Sequence, residues 1–124
     1  MNVLLLGGGG REHALAWRMA QSPLLTRLIM MPGADAMAGL GQVVAGDICN
    51  PDMVLAAVKE HQIDLVVVGP EAPLAAGVTD ALRANSIPTF GPSKAAAQLE
   101  ASKAFTKEIA EAAGVPTAKA RVFD

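Results

Sequence analysis

The chain has 124 residues, a length suited to one domain, and 52% of them are apolar, ample for a core. A net charge of −2 with both signs interspersed, 3% aromatic residues and no tyrosine exclude the basic footprint and the stacking platforms of nucleic-acid binders. The single Cys49 excludes an internal disulfide, and no apolar run approaches the roughly 18 to 20 residues of a membrane span, so the expectation is a soluble cytoplasmic protein without nucleic-acid or membrane partners.

Residues 3–6 read as a short buried strand that runs into four glycines, Gly7, Gly8, Gly9 and Gly10, followed by Arg11, Glu12 and His13. Residues 11–21 are rich in helix formers, with Leu15 and Met19 one turn apart, and Ser22 and Pro23 end the run. Strands are expected at 27–31 and, shorter, at 42–46. Asn50, Pro51 and Asp52 read as helix N-cap, first-turn proline and first-turn acid, with Val54, Ala57 and Val58 as the inner face of the helix that follows. Residues 64–68 form a continuous β-branched run, the pattern of a central parallel strand covered on both faces. It ends in Gly69, Pro70, Glu71, Ala72 and Pro73, and Pro73 can open the next helix, with Val78, Ala81 and Leu82 on one face. A short strand at 87–90, a helix from Ser93 to about Glu100 and another over 103–113, stopped by Gly114, complete the pattern. Trp17, Met19, Met30 and Met31 are assigned to the core. The fold class is α/β: an open, mostly parallel sheet with helices on both faces.

The glycine run is the most informative feature. Residues without Cβ let a ligand reach the peptide N–H groups, and the helix that opens at Gly10 adds the positive end of its dipole. That combination is an anion site suited to a phosphate, with the Arg11 guanidinium beside it as a fork of donors. A dinucleotide fingerprint is not met: with G-x-G-x-x-G begun at Gly7 the third glycine falls on Glu12, and begun at Gly8 it falls on His13. A carboxylate at that position is expected to obstruct close packing of helix on strand. No G-x-x-x-x-G-K-[ST] is present either. Ligands of such sheets bind outside the carboxyl ends of the strands, where three loops qualify: 7–11, 69–73 and 91–93. Glu71 is the acid among them and a natural acceptor for ribose hydroxyls; its alternative is an exposed acid at a helix start. The alternative for Arg11 is a solvated helix residue. His13, in the first helical turn, suits a neutral packing role, and His61, near a helix end, suits the dipole there.

Three blocks carry a family resemblance. Gly-Gly-Arg-Glu-His-Ala-Leu-Ala-Trp at 9–17, Asp-Leu-Val-Val-Val-Gly-Pro-Glu-Ala-Pro-Leu at 64–74, and Phe-Gly-Pro-Ser at 90–93 with the run at 96–107 resemble, in order, the amino-terminal domain of glycinamide ribonucleotide synthetase, the phosphoribosylamine-glycine ligase of purine biosynthesis. The resemblance implies a Rossmann-like domain preceding an ATP-grasp region, in an enzyme that uses ATP with magnesium or manganese to join glycine to 5-phosphoribosylamine. On these residues it implies that Gly8, Gly9, Gly10, Arg11, Gly69, Pro70 and Glu71 contact the phosphoribosyl substrate and that Lys103 is similar to a lysine placed on nucleotide phosphates. No catalytic residue or metal ligand, and no tightly bound cofactor, is expected here. Residues 1–101 would be the substrate-binding domain. Residues 102–124 would be a helix and a first strand leading into downstream domains of the same longer chain. Where the family usually has Pro-Gly-Asn, this sequence has Pro32, Gly33 and Ala34, which removes an amide from that loop. On fold alone, a non-catalytic nucleotide-binding or interaction domain of flavodoxin-like shape stays open.

Overall fold

The computed structural model describes residues 1–121. Five strands, β1 (Asn2–Leu6), β2 (Arg27–Met31), β3 (Gln42–Val43), β4 (Leu65–Val68) and β5 (Thr89–Phe90), form one sheet in the order β3-β2-β1-β4-β5, every pair parallel. The helices are α1 (Gly10–Met19), α2 (Pro51–Glu60), α3 (Glu71–Ala76), α4 (Val78–Ala84), α5 (Lys94–Ala101) and α6 (Lys103–Ala112), with a 3-10 turn at Asp35–Met37. The open parallel sheet with helices on both faces is the expected class.

Strand periodicity divides the core into two. Leu4, Leu6, Ile29, Met31, Val66 and Val68 share one face and are covered by Val54 and Val58 of α2, Leu74 of α3, Val78 and Leu82 of α4 and Ala97 of α5. Val3, Leu5, Leu28, Met30 and Val67 share the other, under Ala16 of α1 and Met37 of the 3-10 turn. The central β1 and β4 are therefore apolar at successive positions, because each side chain meets a covered face.

Local chemistry accounts for most boundaries. The Asn50 side chain accepts from the N–H of Asp52 at 3.0 Å and of Met53 at 3.3 Å, and Pro51 follows at the first helical position. Asn50→Ala is expected to cost about 1 kcal/mol, read as a lower urea midpoint with unchanged slope; Asn50→Asp should restore it, and equal midpoints for all three proteins would remove the cap from the account.

Several expectations are corrected. The helix expected to open at Pro73 begins at Glu71, with Pro73 in its third position, where a missing N–H leaves no bond unmade. It breaks at Gly77, whose φ of 92° is left-handed, so one expected helix becomes α3 and α4. β3 is shorter than 42–46, and β5 than 87–90. In α1 the inward positions are Glu12, Ala16 and the half-buried Met19, spaced by four and three residues; Leu15 and Trp17 lie about 100° to either side of Ala16. Trp17 is consequently 58% exposed and is not core, whereas Met30 and Met31 are buried as expected. Of the strand expected at 119–124, residues 119–121 carry no strand, and 122–124 lie outside the described residues.

Candidate functional site

The order of strands decides where the special loops meet. From β1 the chain crosses to β2 on one side, and from β4 it crosses to β5 on the other, so the loops after β1 and β4 leave neighbouring strands in opposite directions. The crevice between them is the switch point where ligands of open α/β sheets bind. The structure brings the seven expected residues of these two loops, Gly8, Gly9, Gly10, Arg11, Gly69, Pro70 and Glu71, to this crevice. An added Cβ on Gly7 would lie 2.9 Å from Pro70 Cδ, and Arg11 Nη2 lies 3.6 Å from Glu71 Oε2.

Each glycine of the run has its own neighbour. A Cβ on Gly8 would lie 2.2 Å from the Gly33 carbonyl oxygen, so the loop after β2 closes one wall of the crevice against bare backbone. A Cβ on Gly10 would meet nothing within 4 Å beyond its own helix and chain neighbours, and this is the open side. Gly9 has a φ of −83°, which any residue can adopt, and serves as N-cap of α1. Among the described residues the N–H groups of Gly8, Gly10 and Arg11 have no partner, whereas that of Gly9 donates to Glu12 Oε2 at 2.9 Å. The Gly9 N–H is thus already engaged by the side chain three residues on, at the N-cap of α1.

Glu12, at the third glycine position of the dinucleotide fingerprint, does not obstruct the packing of α1 on the sheet. It is 4% exposed, and a Cβ on Gly69 would lie 2.4 Å from its Cγ, one on Gly7 2.6 Å from the same atom. The helix packs closely despite the carboxylate because glycines in two other places leave room for it. The available signal was the coincidence of an acid at the third glycine position with glycines at the ends of two strands.

Arg11 is 59% exposed and Glu71 52% exposed by side chain, and Arg11 Nε also donates to Glu12 Oε1 at 3.2 Å. An exposed ion pair such as Arg11 with Glu71 is worth about 0 to 1 kcal/mol, whereas a hydrogen bond to a charged group is worth roughly 1.5 to 3 kcal/mol. The Arg11 guanidinium is therefore only weakly committed to Glu71. The third loop is tied to α4: Gly91 O accepts from Arg83 Nη2 at 2.6 Å, and Asp80 Oδ2 accepts from the Lys94 N–H at 2.7 Å.

Other candidates are not gathered here. Lys103 is exposed at the first position of α6 and, among the described residues, makes no hydrogen bond or ion pair with the loops. His13 is half-buried in α1, and His61 caps α2, its carbonyl accepting from Arg27 Nη2 at 2.5 Å. A mostly apolar cavity of about 330 Å³ between α2 and β3, bordered by Met31, Val44, Met53 and Ala57, includes none of the loop residues.

The fold and its crevice define a doubly wound α/β domain that presents glycine-rich backbone, an arginine and a carboxylate at the switch point of its sheet. The family model described as Phosphoribosylglycinamide synthetase, N domain, matches residues 1–100, and the chain belongs to that family. It is 57% identical over 118 residues to the phosphoribosylamine-glycine ligase of Mesorhizobium japonicum, covering 95% of this chain and 28% of that protein. It is 55% identical over 123 residues to the ligase of Rhizobium meliloti, covering 99% and 29%. The crystal structure of the phosphoribosylamine-glycine ligase of Thermotoga maritima superposes with a TM-score of 0.70 at 28% identity, covering 96% of this chain and 26% of that one. The chain thus spans less than a third of the length of these relatives.

Proposed function

We propose that this chain supplies the phosphoribosyl-binding crevice of an ATP-dependent ligase that joins glycine to 5-phosphoribosylamine in purine biosynthesis. The observation that carries the proposal is the convergence, at the switch point, of unpartnered N–H groups at Gly8, Gly10 and Arg11 with the Arg11 guanidinium and the Glu71 carboxylate. Phosphate is received by the first three and the guanidinium, because a helix start concentrates unsatisfied donors there. Gly69 and Pro70 shape the facing wall, and Glu71 accepts from a ribose hydroxyl.

ATP and the magnesium or manganese that accompanies it are assigned elsewhere. Among the described residues no three carboxylate, imidazole or thiol side chains come together to hold a cation, and Lys103 stands alone. In this proposal residues 1–101 form the binding domain, and 102–124 lead towards the ATP-grasp part of a longer protein, Ser102 both ending α5 and capping α6 through its hydroxyl.

Ribose 5-phosphate should raise the thermal midpoint of the purified chain, since a ligand selective for the folded state stabilises it, while a dinucleotide at equal concentration should not. The reverse order would favour a general nucleotide-binding domain. The 124-residue chain should also release no ADP in a glycine-dependent manner, because positioned metal and nucleotide supply most of the stabilisation in phosphoryl transfer. Release above a heat-treated control would show that the chain carries that machinery itself.

A further inference from the structure

We infer that Glu12 is the positioning residue of this site: its buried carboxylate sets Arg11 and the first loop in the arrangement that receives the phosphate, and keys that loop to the one carrying Glu71. The inference rests on the phosphoribosyl-binding proposal above.

A carboxylate that is 4% exposed has to be compensated by donors, and Glu12 has one on each oxygen. Oε2 accepts from the Gly9 N–H at 2.9 Å, and Oε1 accepts from Arg11 Nε at 3.2 Å. Fixing Nε leaves the terminal guanidinium nitrogens for a ligand, and one of them already faces Glu71 across the crevice at 3.6 Å. Holding the arginine before the ligand arrives reduces the rotamer freedom lost on binding. The side chain also acts by its thickness. Cβ atoms on Gly7 or Gly69 would come within 2.6 and 2.4 Å of Glu12 Cγ, so the separation of the two loops is set by the methylenes of this residue lying between them.

The sign of one substitution separates this role from simple electrostatics. A carboxylate near a phosphate repels it, so if Glu12 contributed charge alone, Glu12→Gln would tighten binding. As a positioning residue its replacement weakens binding, because the neutral amide holds the guanidinium less firmly.

The test is calorimetric titration of ribose 5-phosphate into the parent chain, Glu12→Gln, Arg11→Ala, the double variant and Gly69→Ala, with the thermal midpoint of each. Glu12→Gln should raise Kd by about tenfold. In the Arg11→Ala background the same change should alter Kd by less than about twofold, since the group it positions is gone. Gly69→Ala leaves every charge in place but displaces the Glu12 side chain, and it should also weaken binding. If Glu12→Gln binds as tightly as the parent or more tightly while Arg11→Ala is weakened, the positioning role is overturned and the phosphoribosyl proposal stands. Full additivity in the double variant overturns it equally. If Glu12→Gln does not fold, Gly69→Ala decides, parent-like affinity there being the negative result. A parent chain that binds no ribose 5-phosphate overturns both proposals together.

Discussion

Replacing Arg11 by alanine is expected to weaken binding of ribose 5-phosphate by about ten- to a hundredfold. The helix dipole and the backbone donors remain in that variant, and near an exposed helix start the dipole contributes only about 0.3 to 1 kcal/mol. The guanidinium contributes roughly 1.5 to 3 kcal/mol as a charge-assisted donor, so it is the larger share. Glu71 does not hold it back, since their contact at 3.6 Å joins two half-exposed groups. Titration at fixed ionic strength reads the effect, and Arg11→Lys should recover only part of it, because an ammonium lacks the planar fork. An alanine variant with parental affinity would place the ligand elsewhere and reduce the glycines to a turn.

Gly8→Ala should be the most damaging single change in the glycine run. The added carbon would lie 2.2 Å from the Gly33 carbonyl oxygen and 2.7 Å from its carbon, and both are backbone atoms. Neither can rotate away, so the loops after β1 and β2 would have to separate. Overpacking of this kind costs about 1 to 3 kcal/mol, and for a chain of this size each kcal/mol lowers the thermal midpoint by roughly 4 °C. Gly10→Ala is the matched control: it adds the same carbon where nothing lies within 4 Å. The first variant should melt well below the parent and the second close to it. Equal midpoints would show that the wall formed by Gly33 moves freely.

Much of the fold was legible because it depends on near neighbours in sequence. Residues 65–68 announce a strand buried on both faces, Asn50 with Pro51 announces a helix start, and Gly7 to Gly10 announce exposed backbone next to a helix dipole. The three loops at the carboxyl ends of the strands follow from those assignments alone. Helix phase was less legible: Leu15 and Trp17 outrank Glu12 in apolarity, yet Glu12 and Ala16 face inward, because the turn after β1 fixes the rotation of α1 before its side chains are compared. Gly77 was hidden for a similar reason, since a left-handed residue between two helices looks like any glycine within one.

The sequence by itself determined most of the elements, the class of sheet and the chemistry available at residues 8–11 and 69–71, since propensity, capping and exposed N–H groups are local properties. Only the tertiary structure decided that β1 lies beside β4, that Arg11 therefore faces Glu71, and that Gly7 and Gly69 make room for a buried Glu12. The contacts of β1 and α1 with β4 and the loop after it join segments about sixty residues apart. Their existence depends on strand order, which no spacing within a single segment encodes.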